Sequence, residues 1–502
     1  MTAITSHAGS ANLLIQHLNK SHKDFTKADI IQFIKDKQIQ MLNFRYPGED
    51  NRLKTLNFVI NDYKYLDTIL STGERVDGSS LFSNIEAGSS DLYVIPKFRT
   101  AFVNPFAKVP TLDILCSYFN KDGKPLASSP ENVLCKAHEV LKEKTGFTFQ
   151  TMGELEYYII SPKNDLFRAM NQKGYHESAP FSKWEDFRTE AMHLIAQCGG
   201  QIKYGHLEVG NFSLGELDYE QNEIEFLPVD VEEAAEQLLV AKWIIRSLAY
   251  KYGVTVTFAP KITADKAGSG MHIHTQLVKD GKNMMTENGK LSDYAKKAIA
   301  GYLSLAPSLT AFGNTNPTSY FRLVPHQEAP TTVCWGDRNR SVLVRVPLGW
   351  SGDNNMLATA NPAETHKKED FSSKQTVEFR CPDGSANIYL LLAGLTVAAR
   401  YGLEMANALE YAKETYVDIN IFSEEHKEKV KGLQTLPVSC WDSATMLTKQ
   451  ADIYRQYGVF SDAMIEGIVK NLHSYNDHDF RIRLKDNREG MLALVQEHFH
   501  CG

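Results

Sequence analysis

GELEYYII, from Gly153 to Ile160, carries an acidic side chain at alternate positions and then turns wholly apolar. A strand sends residues i and i+2 to the same face, so Glu154 and Glu156 share one side. The same spacing recurs in His206 and Glu208 of YGHLEVG, Glu223 and Glu225 of YEQNEIEF, His272 and His274 of GMHIHTQL, and Glu378 and Arg380 of TVEFRCP. One such pair is ordinarily a solvated outer face. Five, each flanked by apolar residues, describe a charged face turned inward. Bare carboxylates are costly to desolvate, so that face needs cationic partners or metal. These strands are expected to line one polar cavity that holds divalent cations.

Outward from this stretch the chain divides. Before it, KQIQMLNFRYP, TLNFVIND, DLYVIPKFRTAF and TLDILCSYF alternate apolar and polar residues, predicting a small sheet domain over 29–125 behind a peripheral helical extension, 1–28. ENVLCKAHEVLKEKTG has helical period and stops at Gly146. From 126 to 502 short strands alternate with long helical tracts such as VEEAAEQLLVAKWIIRSLAYKYG, and after Pro382 the pattern is mostly helical. The fold class is α+β, with 502 residues shared between a small N-terminal domain and a large catalytic one.

The donor types narrow the metal. Carboxylates dominate, histidine is a minority and cysteine is absent from the pairs, which suits Mg²⁺ or Mn²⁺ over Zn²⁺. Arginines stand close by, in DRNRSVLVR and EFR. Arginine beside carboxylate-bound magnesium is the equipment of phosphoryl transfer, where negative charge must be neutralised and oriented. The sequence has no Walker A motif and no kinase-type glycine loop, so a nucleotide must be held another way. A net charge of −7 without basic blocks argues against nucleic acid and anionic membrane as partners. The N-terminus has no charged-then-apolar leader pattern, and the seven cysteines are scattered without a CxxC, as expected of a cytoplasmic protein with reduced thiols.

Several segments, in order, resemble the glutamine synthetase family, closest to the bacterial type I enzymes. They are DGSS at Asp77–Ser80, GELEYY at Gly153–Tyr158, the tract ending at Lys261 with GSGMHIH at Gly268–His274, NPTSYFRLVPHQEAP ending at Pro330, NRSVLVRVP, and VEFRCPDGSANIYL. The resemblance implies a β-grasp N-terminal domain and a catalytic domain whose antiparallel strands form a cavity surrounded by helices. It implies that Glu156, Glu208 and Glu223 hold one metal and Glu154, His272 and Glu378 another. Arg322, with Gly268 nearby, would grip the α-carboxylate of L-glutamate. Arg340 and Arg380 would neutralise a transferring phosphoryl group, and His274 and Arg345 would contact ATP. Asp77 would deprotonate ammonium from a neighbouring subunit, and Glu328 would close over the intermediate. The implied reaction is ATP-dependent ligation of ammonia to the γ-carboxylate of L-glutamate through a γ-glutamyl phosphate, in a homo-oligomer of two stacked hexameric rings.

The sequence also departs from the family pattern. GELDYEQNE supplies a second register in which Glu216 replaces Glu208; Glu208 is preferred because it shares a strand face with His206, whereas Glu216 follows Gly215 in a loop. Ala267 stands where the family commonly has an asparagine. Two other functions fit the same resemblance: a γ-glutamyl ligase for a polyamine or other amine, and a non-catalytic ring-forming relative.

Overall fold

The computed structural model describes residues 9–82, 85, 90–168, 170–324, 329–349, 355–365, 371–421, 432–484 and 487–502. Two short helices open the chain, α1 (Leu13–Leu18) and α2 (Lys27–Asp36). A capping box starts α2: the Thr26 side chain accepts from Asp29 N, and the Asp29 carboxylate accepts from Thr26 N. Within the expected extension Leu14, Ile15 and Phe25 are buried and join the core of the first sheet, beside Ile30, Phe33 and Ile34 of α2, whose i, i+3, i+4 spacing gives that helix one buried stripe.

That sheet holds β1 (Met41–Pro47), β2 (Leu53–Val59), β3 (Glu74–Asp77), β4 (Asp91–Pro96), β5 (Phe102–Val103) and β6 (Thr111–Phe119), with α3 (Tyr63–Thr72) between β2 and β3. Its order is β2-β1-β6-β4-β3, with β5 beside β6. β1 and β6 run parallel and the other pairs antiparallel. Phe44, Leu42, Leu112 and Ile114 fill its core.

The larger part of the chain begins with α4 (Pro130–Thr145), which has Pro130 in its first turn and ends at Gly146, φ 74°. Then follow β7 (Thr148–Pro162), α5 (Glu185–Gln197), β8 (Ile202–Leu214), β9 (Leu217–Phe226), β10 (Val229–Asp230), α6 (Val231–Tyr252), β11 (Thr255–Thr257), β12 (Met271–Lys279), β13 (Lys282–Asn283), and a hairpin of β14 (Thr286–Glu287) and β15 (Lys290–Leu291). Next come α7 (Asp293–Gly313), α8 (Ser319–Arg322), β16 (Trp335–Asp337), β17 (Val344–Val346), α9 (Met356–Ala360) and β18 (Val377–Phe379). The remainder is helical: α10 (Ile388–Glu404), α11 (Ala408–Glu414), α12 (Cys440–Arg455), α13 (Asp462–Ser474), α14 (Phe480–Arg483) and α15 (Arg488–Glu497). A ten-stranded sheet forms the scaffold: its main path runs β16-β17-β18-β12-β7-β9-β8, with β10 and β11 beside β7 and β13 beside β12, and β16 and β17 are its parallel pair.

Leu238 and Ala241 of α6, Tyr302 and Leu305 of α7, and Leu391 and Leu395 of α10 pack with Leu155, Ile224 and Ile273 of the sheet in one continuous core. One face of each strand therefore meets helices, and the charged face meets the cavity. Two buried contacts lock the domains together. The Arg45 guanidinium stands 4.4 Å over the Trp243 ring of α6 while its Nε donates to Asp113 at 2.7 Å. Glu236 of α6 takes Lys97 at 2.6 Å and both terminal nitrogens of Arg99 at 2.6 and 2.7 Å. All seven cysteines are free, and no single described helix is long and apolar enough to cross a membrane.

Candidate active site

The five charged pairs converge. Glu154, Glu156, His206, Glu208, Glu223, Glu225, His272, His274, Glu378 and Arg380 all line one cavity of about 1180 Å³, together with Gly268, Arg322, Arg340 and Arg345. Register explains the convergence. Glu154 faces Glu225 and Glu156 faces Glu223 across the β7–β9 ladder. Beyond β9, Glu223 faces His206 and Glu225 faces Tyr204. On the other flank Glu154 faces His272, while Glu378 lies opposite His274 on one side and Arg345 on the other.

Two halves of the cavity differ electrostatically. In the first, anions and cations interleave. His272 Nδ1 lies 2.9 Å from Glu154 Oε2, and His274 Nε2 lies 2.7 Å from Glu154 Oε1. Glu378 accepts from Arg345 at 2.8 Å and from Arg380 Nε at 3.0 Å. Burial alone would raise the Glu154 carboxyl, but the two histidines outweigh it and hold the group well below its ordinary range. Burial and Glu154 push the Glu378 carboxyl up; Arg380 and the histidines overcome both and hold it low.

The second half has surplus negative charge. Glu156, Glu208, Glu223 and Glu225 share it with Lys203, which pairs with Glu225 at 2.7 Å, and with His206, 3.7 Å from Glu223. Burial first, then Glu154, Glu156, Glu208 and Glu225, push the Glu223 carboxyl well above its usual value. Directly opposed like charges destabilise a sheet. A divalent cation relieves that repulsion, and the donors fit one. Ligating atoms of Glu154, His272 and Glu378 lie within 4.8 Å of one another, as do those of His206, Glu223 and Glu225.

A β-bulge sets the shape of this half. Between the pairs Leu207–Asn222 and Asn211–Glu220, residues 208–210 of β8 face only Gln221 of β9. Gln221 ties the wall together: its Oε1 accepts from Gly210 N at 3.1 Å, and its Nε2 donates to Glu156 Oε2 at 2.8 Å and to Gly268 O at 3.0 Å. A Cβ on Gly210 would stand 2.1 Å from Tyr158 Oη and 2.2 Å from Gln221 Oε1, so any other residue must displace those side chains.

The residues singled out from sequence fall into distinct places. Arg322, buried on α8, donates to Cys381 O at 2.8 Å and reaches His272 Nε2 at 3.4 Å. Arg380 is buried against Glu378 and the backbone oxygens of Arg340 and Val342. The Arg340 side chain is exposed at the rim. His274 has both nitrogens engaged, by Glu154 and by Thr376 Oγ1 at 2.8 Å. Burial disfavours its cation, yet Glu154 outweighs burial and raises its pKa. Glu216 is exposed in the β8–β9 turn, away from the cavity that Glu208 lines. Asp77 ends β3 outside that cavity, its carboxylate accepting from Ser79 N, Ser79 Oγ and Ser80 Oγ at 3.0, 2.7 and 2.7 Å; these bonds hold it well below the usual carboxylate range. Glu328 lies outside the described residues.

Sequence reasoning gave no role to several lining residues. His206 and Glu225 carried the two-residue signal but entered no ligand set. Gln172, Tyr175 and His176 carried none, since they lie in an irregular segment before α5.

Known proteins agree with this architecture. The family profile described as "Glutamine synthetase, catalytic domain" matches residues 127–487, and "Glutamine synthetase, beta-Grasp domain" matches 38–121. A glutamine synthetase of Clostridium saccharobutylicum is 31% identical over 434 residues, covering 84% of this chain and 89% of the relative. A 3-hydroxylaminophenol mutase of Cupriavidus pinatubonensis is 28% identical, covering 88% and 94%. A Plasmodium falciparum glutamine synthetase solved by cryo-electron microscopy superposes with a TM-score of 0.74 at 19% identity, covering 92% and 98%. With both domains matched in order, the chain belongs to the glutamine synthetase family.

Proposed function

We propose that this protein ligates ammonia to the γ-carboxylate of L-glutamate at the expense of ATP. The observation that carries the reading is the single cavity in which two carboxylate-rich donor sets stand beside Arg322, Arg340, Arg345 and Arg380. Glu154, His272 and Glu378 would hold one Mg²⁺ or Mn²⁺, and Glu156, Glu208 and Glu223 the other, with His206 and Glu225 in reach of the second. Such ions supply charge neutralisation to phosphate oxygens.

A carboxylate is a poor electrophile. Its oxygen attacks the γ-phosphorus of ATP, ADP leaves, and the resulting acyl phosphate has a leaving group. Arg340 and Arg380 offset the charge in transfer, and His274 and Arg345 orient the nucleotide. Arg322 beside Gly268 takes the α-carboxylate. Ammonium has no lone pair until it loses a proton, which the Asp77 carboxylate of a neighbouring protomer in a ring accepts; ammonia then attacks the carbonyl carbon and phosphate departs. Glu328 screens the acyl phosphate from water.

A second reading rests on Glu225. Its carboxylate holds the primary ammonium of Lys203, which stands 4.8 Å over the Tyr204 ring. An acidic, aromatic wall of this kind suits the cationic end of a longer amine. Phosphate release from ATP with Mg²⁺ and L-glutamate, run with ammonium and with a panel of amines, decides. Release with ammonium supports the first reading; release with an amine alone sinks it.

A further inference from the structure

Residues 172–176 lie as a strap along β8. Gln172 N donates to Asn211 O at 2.9 Å, Gly174 N to Val209 O at 3.3 Å and His176 N to Leu207 O at 2.9 Å. The strap therefore grips both sides of the bulge. It fits tightly, since a Cβ on Gly174 would stand 2.6 Å from Glu208 O. Gln172 itself has φ 57°, the left-handed region that residues with a Cβ rarely adopt. Strain of this kind at a cavity wall points to a side chain that must be aimed.

The aim is specific. Gln172 Oε1 accepts from Ala267 N at 2.8 Å, on the glycine segment that precedes β12. Its Nε2 is buried without a partner, on a residue that lines the cavity. Flipping the amide would set its NH₂ against the Ala267 N–H, donor against donor, so the orientation is fixed. Only the donor remains for a ligand, and its partner must be an acceptor. That excludes an ammonium ion and the protonated α-amino group of an amino acid. Of the arginines assigned above to phosphate, Arg345 and Arg380 belong to the β17–β18 end of the sheet, whereas the strap lies along β8 at the other edge; Arg340 stands nearer the strap, its charge acting on Tyr175. Ala267 adjoins Gly268, whose Cβ position is 3.0 Å from Arg322 Cγ.

We propose that Gln172 is a substrate-contacting residue: its Nε2 donates to the α-carboxylate of the bound amino acid, converging on it with Arg322. This rests on the glutamate reading above. A buried amide left without its bond is costly, so the contact serves binding and selects ligands with an acceptor there.

The test uses the full-length protein and steady-state phosphate release, with Gln172→Leu and Gln172→Glu. Both are expected to raise the KM for L-glutamate about tenfold, with kcat and the KM for ATP within about twofold. Gln172→Glu retains an oxygen for the Ala267 N–H, so it keeps the strap even if Gln172→Leu loses it. A wild-type glutamate KM in Gln172→Glu would mean that the residue only braces Ala267, and overturns the proposal. Glutamate α-amide gives a second readout. The wild type should prefer glutamate, and Gln172→Glu should narrow that preference, because its carboxylate accepts from the amide; an unchanged ratio overturns the contact. Wild-type protein that releases no phosphate with glutamate overturns this proposal and the functional reading together, whereas active variants with unchanged constants overturn this proposal alone.

Discussion

Glu156 on β7 and Glu223 on β9 are register partners, two carboxylates facing each other across an antiparallel ladder. Such a pair is repulsive unless a cation or a proton intervenes. The metal-free protein is left with the proton, and burial with the neighbouring carboxylates pushes the Glu223 carboxyl up to keep it.

The stability that this protonated group contributes is full below its unfolded value, near the ordinary 4.5, and is lost as pH rises through its raised folded value. Glu154 and Glu378 act oppositely: their contribution is present above 4.5 and lost as pH falls through their depressed values. Metal-free protein should therefore melt at lower temperature as pH rises past the Glu223 value, and Mg²⁺ or Mn²⁺ should restore it. At a hundredfold excess over Kd the gain is about 2.7 kcal/mol. Glu223→Gln should flatten both dependences. Calorimetry that shows metal-independent melting in the wild type would count against the site.

Arg322 is fixed on α8 by Cys381 O and faces Gly268 and Gly270. Arg322→Lys keeps the charge and loses the planar fork. The KM for glutamate is expected to rise about 10- to 100-fold with the KM for ATP unchanged. Equal rises in both constants would show a collapsed cavity instead of a lost carboxylate contact.

Asp77 is not among the residues that line the cavity, so the proton transfer proposed for it requires a neighbouring copy to bring it there. Asp77→Ala should leave nucleotide binding intact and sharply raise the ammonium concentration required. Mixed with Glu378→Gln, which spoils a different cavity wall, it should regain activity on reassembly. Mixtures as inactive as the separate variants would reject a shared site.

Gly210→Ala forces a methyl group into Tyr158 Oη and Gln221 Oε1. Overpacking of this kind costs about 1–3 kcal/mol, and the bulge should shift Glu208 with it. Thermal melting reads the first effect and metal affinity the second. A variant with wild-type values of both would show that the bulge is more pliant than its contacts imply.

The periodicity of two made the cavity legible, because a strand's side-chain alternation depends on nothing beyond its own backbone. All ten paired positions line one space. What the pairs could not disclose was register. The facing of Glu154 by Glu225 depends on how β7 meets β9, and that of His206 by Glu223 on how β8 meets β9 beside the bulge. Helix ends at Gly146 and Gly253 were readable from their caps. The strap was not, since Gln172 and His176 are held by backbone hydrogen bonds, which leave no side-chain periodicity in the sequence. The burial of Leu14 and Ile15 was also unreadable, because six helical residues show an apolar stripe without showing what covers it.

Four glycines stand at the cavity wall or next to it: at Gly174, Gly210, Gly268 and Gly270 a Cβ would meet another atom at 2.6 Å or less. At Gly174 and Gly268 that atom is a backbone oxygen, and main chain cannot be edited one substituent at a time. For protein engineering this divides the cavity into a fixed floor and a writable rim. Tyr175 and Tyr204, 49% and 43% exposed, and Leu348, 68% exposed, are the lining positions where libraries can change what enters while leaving that floor in place.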